Sequence, residues 1–282
     1  MIDGDSTGAG VPPVSGVAPG LLEAGGVRVS WSGPAGEPVV TVILDRPERR
    51  NAQTPATWRA LSAVGEALPE PTRVVVLRGA GSVFSAGIDL RSFTPEGADR
   101  GAILPLIAAL DDDRASELIS LFQRGFSWWT DRLDVITVAV VQGAAVGAGF
   151  QLALACDLLV CSTDARFSMR ETSLGLVPDL TGTRHLLEAV GYGRALEICA
   201  TGRWVGAQEA LDLRSATTVV APDALDPAVE ELVTTLLAAP ASALRATKTV
   251  LRSSAAADHV AQRIVEREAQ IPLLRGLMGQ TS

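Results

Sequence analysis

An α/β fold with mainly parallel strands is what this sequence predicts, and three observations predict it. Two short apolar runs, VVVL (74–77) and VITVAVV (135–141), read as strands covered on both faces, the first bounded by Pro71 and Gly79. Helically spaced segments separate them, and a Gly-rich turn, GAAVGAG (143–149), joins the second run to an apolar helix. The final third is mostly helical in pattern.

Residues 1–25 are rich in Gly, Pro, Ser and Val and lack the basic start and compact apolar block of a secretory signal, so a flexible tail is expected. VRVSW (27–31) alternates and VVTVIL (39–44) is β-branched, which predicts a hairpin closed by Gly-Pro turns. Thr54 is the expected N-cap of a helix with Pro55 at its first position and Trp58, Leu61, Val64 and Leu68 toward a core. From Ser92 to about Arg114, scattered Pro and Gly and the acidic run Asp111 to Asp113 leave little periodicity, and a mobile cover is expected. Leu118, Phe122, Phe126, Trp129 and Leu133 recur at helical spacing and predict a long amphipathic helix. Beyond VITVAVV and the glycine turn come a helix at FQLALAC (150–156) and a strand at LLVC (158–161). Gly-Tyr-Gly at 191–193 breaks the helical run, Asp226-Pro227 starts another helix, and a last helix pair spans roughly 240–270. Within that pair, DHVAQRIVEREAQ has apolar residues on one side, and its charged face is either solvent-exposed or part of a subunit contact.

Composition sets outer limits. With 282 residues, 47% of them hydrophobic, the chain can build one large core, or one domain with a helical appendage. The net charge of −8 argues against nucleic acid or an anionic membrane as partner, because those surfaces reward clustered cations. No stretch approaches the roughly 18 to 20 apolar residues of a membrane-spanning helix, so a soluble, cytoplasmic protein is expected. Cys156, Cys161 and Cys199 sit among apolar residues without metal-ligand spacing and read as reduced core residues. His185 and His259 are the only histidines and lie far from the motifs, which disfavours a His-assisted nucleophile such as Ser85.

Two segments carry the chemistry: VFSAGIDL (83–90) and the turn at 143–149. Neither offers a side-chain nucleophile with a base. Both offer backbone N–H groups flanked by small residues, which permit close approach of a ligand carbonyl. The first N–H groups of the helix beginning near Ala148 have no intrahelical partner and sit at its positive end, where a developing oxyanion is their natural partner. Taken alone, each segment also reads as a plain tight turn. Glycines at 143, 147 and 149 reverse the spacing of a dinucleotide-binding turn.

Together with RFSMRETSLGLVPDLTGTRHL (166–186), DRPERRNA (45–52) and TGRWVGAQEAL (201–211), these segments resemble the ordered signatures of the enoyl-CoA hydratase/isomerase (crotonase) superfamily over roughly residues 27–270. The resemblance implies a crotonase-type ββα superhelix, a spiral core at 26–215, followed at 216–282 by a C-terminal helical region that covers the site and builds a homotrimer or hexamer. It implies that the N–H groups of Ala86 and Ala148 hold the thioester oxygen and stabilise an enolate. Hydratases of the family hold water between two glutamates; here the later one is Glu171, whereas Gln151 stands at the other position. Glutamine does not accept a proton at neutral pH, although its amide can orient a water or a thioester. Single-glutamate sites resemble those of Δ3,Δ2-enoyl-CoA isomerases, and Asp179 matches an aspartate of dienoyl-CoA isomerases, with a helix cap or a surface residue as its alternative. Ala86, Gly87, Ile88 and Asp89 match the stretch that pairs with the CoA adenine and pantetheine, and Asp89 alternatively caps the next helix. Arg46, Arg49 and Arg50, beside Ala52, form a basic patch that suits CoA phosphates or simply a solvated turn. CoA enters as part of the acyl-CoA substrate, so no separate cofactor and no metal are expected. Double-bond isomerisation with Glu171 as base is the first expectation and hydration the second. Acyl-CoA hydrolysis and a catalytically silent acyl-CoA-binding protein are the remaining alternatives.

Overall fold

The structure, a computed structural model, describes residues 16–18, 20–32, 39–93, 103–254 and 257–279. In chain order its elements are α1 (Leu21–Gly25), β1 (Val27–Ser32), β2 (Val39–Leu44), α2 (Pro55–Glu66), β3 (Val74–Gly79), α3 (Ile103–Ala108), α4 (Asp112–Asp131), β4 (Ile136–Val141), β5 (Ala144–Val146), α5 (Ala148–Leu154), β6 (Leu158–Ser162) and β7 (Arg166–Ser168). There follow α6 (Gly182–Val190), α7 (Tyr192–Thr201), β8 (Val205–Gly206), α8 (Ala207–Asp212), β9 (Thr218–Val220), α9 (Leu225–Ala238), α10 (Ala241–Ser254) and α11 (His259–Gly279).

The larger sheet runs β1-β2-β3-β4-β6-β9, with β1 antiparallel to β2 and every other pair parallel. Its central strands are mostly apolar because both faces are covered. Val75, Leu77, Ala139 and Val141 join one cluster with Trp58, Leu61, Phe126 and Trp129 of α2 and α4. Val74, Val76, Val138 and Val140 join a second cluster with Leu225 and Val229 of α9. Burying each valine, leucine or phenylalanine side chain among them contributes about 1.5–3 kcal/mol.

A smaller sheet, β5-β7-β8, stands beside the first. Its strands alternate with those of the large sheet: β4-β5-α5 is one strand-strand-helix turn and β6-β7-α6 the next. The earlier turn uses residues 84–89 as its second strand, bridging Ser85 to Ala145 and Ile88 to Gln53. This is the expected α/β spiral of ββα turns, with helices forming most of the C-terminal region.

Several local expectations hold atom by atom. The Thr54 hydroxyl caps α2 by accepting from the Thr57 N–H (3.3 Å), and Thr57 returns the bond to the Thr54 N–H (3.1 Å). Phe122, Phe126 and Trp129 are buried on α4. Cys156 and Cys161 are buried, Cys199 is half-buried, and all three are free thiols.

Other elements differ from expectation. Residues 1–15 of the expected tail lie outside the described residues, but Leu21–Gly25 is helical, and the Gly25 carbonyl accepts from the Thr57 hydroxyl (2.7 Å). The hairpin turn at 33–38 also lies outside them. In the expected cover, residues 94–102 are not described, whereas 103–108 form α3 and the acidic run opens α4. Asp111 caps that helix through the Arg114 N–H (2.9 Å), and Asp112 and Asp113 complement its positive end. Charge at a helix start, rather than apolar periodicity, is what makes this turn helical. Strands β5, β7, β8 and β9 have two or three residues each, too few to show alternation.

The C-terminal helices are tied down by buried charge. The Lys248 ammonium on α10 donates to the Arg132 carbonyl (2.7 Å), the Val135 carbonyl (2.8 Å) and Asp157 Oδ2 (2.7 Å), and Arg252 holds Asp157 Oδ1 (2.9 Å). All three ammonium protons thus have partners, which is the condition for burying such a cation. Along α11, Val260, Ile264, Leu274 and Leu277 are exposed. No described helix is long and apolar enough to cross a membrane.

Candidate active site

Residues 84–89 form a ribbon held from both sides. Toward β5, the Ser85 N–H donates to the Ala144 carbonyl (3.0 Å) and the Val146 N–H to the Ser85 carbonyl (3.0 Å). Toward the 50–53 loop, the Ala86 N–H donates to the Arg50 carbonyl (2.9 Å), Gln53 N–H to the Gly87 carbonyl (2.7 Å) and Asp89 N–H to the Gln53 carbonyl (2.8 Å). Ser85 sits beneath, its hydroxyl bonded to the Asn51 carbonyl (2.8 Å) and to Gln53 Nε2 (3.1 Å), so it is a structural hydroxyl.

This pairing corrects the expected oxyanion pair. The Ala86 N–H is committed to Arg50 and cannot hold a ligand. Gly87 and Asp89 both turn toward Gln53, so Ile88 between them turns its N–H to the opposite side, as the alternation of a parallel ladder requires. No hydrogen-bond partner for that N–H exists among the described residues, nor for the N–H of Ala148, the first residue of α5. Gly87 brings the two together. Its φ of +83° is in the glycine region, and a Cβ there would lie 2.4 Å from the Val146 carbonyl and 3.6 Å from the Ala148 nitrogen. Ile88 and Ala148 are therefore the open amides.

Glu171 begins a short 3-10 turn (Glu171–Leu174) and reaches back over Gly147. A Cβ on Gly147 would stand 3.1 Å from Glu171 Oε1, so the carboxylate packs beside the residue that precedes the Ala148 N–H. Gln151 fixes it there. Its Nε2 donates to Glu171 Oε1 (2.7 Å) while its Oε1 accepts from the N–H groups of Leu180 (2.9 Å) and Gly182 (3.3 Å). Two backbone donors facing Oε1 leave Nε2 as the atom that meets Glu171. Gln151 thus positions Glu171, and the second hydrogen of its Nε2 is the one donor it keeps for a water or a thioester.

The other carboxylate oxygen, Glu171 Oε2, is buried with no hydrogen-bond partner. Burial pushes the Glu171 pKa up, and the charge of Asp179 adds to the rise. The Gln151 hydrogen bond acts in the opposite sense. A partly desolvated carboxylate with one unsolvated oxygen is a stronger base than a free one.

Asp179 shares the cavity with Glu171. It is exposed as a residue at the rim, yet the cavity wall shades its carboxyl enough for desolvation to raise its pKa. It is not a helix cap, because α6 starts at Gly182 behind Thr181. The Asp179 carbonyl accepts from Gln123 Nε2 of α4 (2.7 Å).

The expected CoA-contacting residues divide. Ala86, Gly87 and Ile88 line the cavity; Arg46, Arg49, Ala52 and Asp89 are not among its lining residues. Arg46 is engaged, donating to the Ala52 carbonyl (2.8 Å) and pairing with Asp89 Oδ2 (3.6 Å). Asp89 is also clasped by Arg91 (Nε to Oδ1, 2.9 Å), whose bonds hold the Asp89 carboxyl at about 2. It starts the turn Leu90–Phe93 through the Arg91 N–H (3.2 Å), the capping role anticipated as its alternative. Arg49 and Arg50 are exposed on the 47–50 turn.

The cavity measures about 460 Å³, within the range of small-molecule sites. Sequence reading placed Ile103 and Ile107 in the stretch expected to cover the site, where α3 now carries them, but it missed Trp58, Ile119 and Phe122 of α2 and α4. Trp58 and Phe122 look like ordinary core positions on amphipathic helices, and only their convergence on the ribbon distinguishes them. Chemically, the site can bind one carbonyl oxygen with two amides and move a proton at a neighbouring carbon.

Known proteins resemble this chain in sequence and in fold. A family model described as enoyl-CoA hydratase/isomerase matches residues 35–272. A Thermobifida fusca YX protein of enoyl-CoA hydratase type, solved in complex with acetoacetyl-CoA, superposes with a TM-score of 0.86 at 43% identity, covering 93% of this chain and 99% of that one. The Bacillus subtilis (strain 168) protein YngF, described as an enoyl-CoA hydratase/isomerase, is 31% identical over 83% of this chain and 85% of its own length. The mitochondrial Delta(3,5)-Delta(2,4)-dienoyl-CoA isomerase of Mus musculus is 32% identical over 62% of this chain and 53% of its own.

Proposed function

Because the chain belongs to the enoyl-CoA hydratase/isomerase family, we propose that it moves the double bond of an unsaturated acyl-CoA thioester, with Glu171 as the one base. The observation that carries this reading is the bond from Gln151 Nε2 to Glu171 Oε1, which leaves Oε2 as the single unpartnered carboxylate oxygen in the buried part of the site. The acetoacetyl-CoA complex of the Thermobifida fusca relative supports a CoA thioester as the ligand class.

In this scheme the N–H groups of Ile88 and Ala148 donate to the thioester oxygen. Glu171 Oε2 takes a proton from C2 of a 3-enoyl chain, and the C–H electron pair enters a dienolate whose charge rests on that oxygen. The same carboxyl returns the proton at C4, using the electrons of the old C3–C4 double bond, and a conjugated 2-enoyl thioester results. The hydratase arrangement that the resemblance implies uses a glutamate at the Gln151 position, and Gln151 is bonded instead to Glu171, Leu180 and Gly182. A second reading is favoured by Asp179: a carboxylate in the same cavity with a raised pKa suits proton delivery farther along a 3,5-dienoyl chain. The exposed apolar residues of α11 support the trimeric or hexameric assembly that the family resemblance implies.

The test is turnover of 3-enoyl-, 3,5-dienoyl- and 2-enoyl-CoA, followed by product analysis across pH. The expected result is bond migration without a 3-hydroxyacyl product. Glu171 works ionised and burial raises its pKa. Activity should therefore fall with acid at a pH above the ordinary glutamate value. An acid limb at or below that value counts against Glu171 as base. Free thiol release would instead point to hydrolysis, and binding without turnover to a silent acyl-CoA-binding protein.

A further inference from the structure

The polar and apolar linings of the cavity are segregated. Among the described residues, every charged or amide side chain in its wall, Gln151, Arg170, Glu171 and Asp179, comes from α5 or the 170–179 segment. The described residues of the opposite wall, from α2, α3, α4 and the ribbon, have apolar side chains. Its one polar side-chain atom, the Trp58 indole nitrogen, already donates to Gln53 Oε1 (2.9 Å). The Trp58 and Phe122 rings pack together at 5.0 Å between centroids, closing that side.

Size and chemistry therefore constrain the acyl group. A methylene fills roughly the volume of a liquid water, about 30 Å³, so a four-carbon acyl group occupies about a quarter of the 460 Å³ cavity. The remaining apolar wall would stay wet. A hydroxyl or carboxyl on the distal chain would lose water there and gain no hydrogen bond. Resting on the acyl-CoA reading above, we propose that this chamber selects a long, unsubstituted apolar acyl chain, of about eight carbons or more, the length at which the chain fills about half of the cavity. The geometry makes Ile103, Ile107, Ile119, Trp58 and Phe122 the residues that determine specificity.

The experiment is calorimetric titration of the full-length protein with two saturated thioesters, butanoyl-CoA and decanoyl-CoA, which share the CoA portion and contain no double bond to move. Each buried methylene strengthens binding about fourfold. Decanoyl-CoA carries about six more methylenes, so it should bind at least on the order of 100-fold more tightly than butanoyl-CoA even with only half of them buried. Equal affinities within a fewfold overturn the inference and leave the catalytic reading standing. Binding of neither thioester overturns both. The Ile107→Asp variant should lower the decanoyl-to-butanoyl affinity ratio at least tenfold, and the ratio is unaffected by the fraction of protein folded. An unchanged ratio removes Ile107 from the selecting wall.

Discussion

Replacing Glu171 by Gln lowers turnover of an unsaturated acyl-CoA by about 100-fold or more, the usual scale of a lost general base. The substitution is nearly isosteric. Its amide oxygen can still accept from Gln151 Nε2, which now bonds Glu171 Oε1 at 2.7 Å. The anchoring loop therefore survives, and only the proton-accepting Oε2 is lost. Binding of a CoA thioester should change little, so the loss belongs in kcat rather than KM. Equal activity in wild type and variant would move the base to another residue, with Asp179 the carboxylate that shares the cavity.

Ala148→Pro should cost about 100- to 1000-fold in kcat, the scale of removing one oxyanion donor. Proline is tolerated at the first position of a helix, where its missing N–H breaks no intrahelical bond. Ala148 occupies that position in α5, and its N–H bonds to no described residue. The variant thus deletes one donor while leaving the buried helix in place. Circular dichroism and the melting temperature check that the helix remains. A folded variant with full activity would mean that the Ala148 amide does not meet the thioester oxygen.

How much of this was legible in the sequence depends on the range of the interaction that fixes each feature. Thr54 with Pro55, and the apolar runs of β3 and β4, are local signals and translate directly into structure. Glu171 and Gln151 were identifiable as matching positions, but their mutual hydrogen bond was not. It depends on Leu180 and Gly182 turning their N–H groups onto the glutamine, and a Cβ on Gly182 would sit 2.5 Å from Gln151 Cγ. The oxyanion pair shows the limit most clearly. Within Ser-Ala-Gly-Ile-Asp every residue offers an N–H, and the free one is decided by pairing with Arg50 and Gln53, some thirty-five residues earlier. Sequence reading chose Ala86; the ladder leaves Ile88. The partner of Arg46 was hidden for a similar reason, since its counter-ion, Asp89, is distant in sequence and adjacent in space.

One carboxyl oxygen that both removes and returns a proton makes a distinctive demand on isotopic label. A 3-enoyl-CoA deuterated at C2, converted in ordinary water by the wild-type protein and examined by mass spectrometry, should give product in which a measurable fraction of the deuterium has moved to C4. Complete loss of the label to solvent from the first turnovers, or bound substrate left unconverted, would contradict a single-base transfer at Glu171.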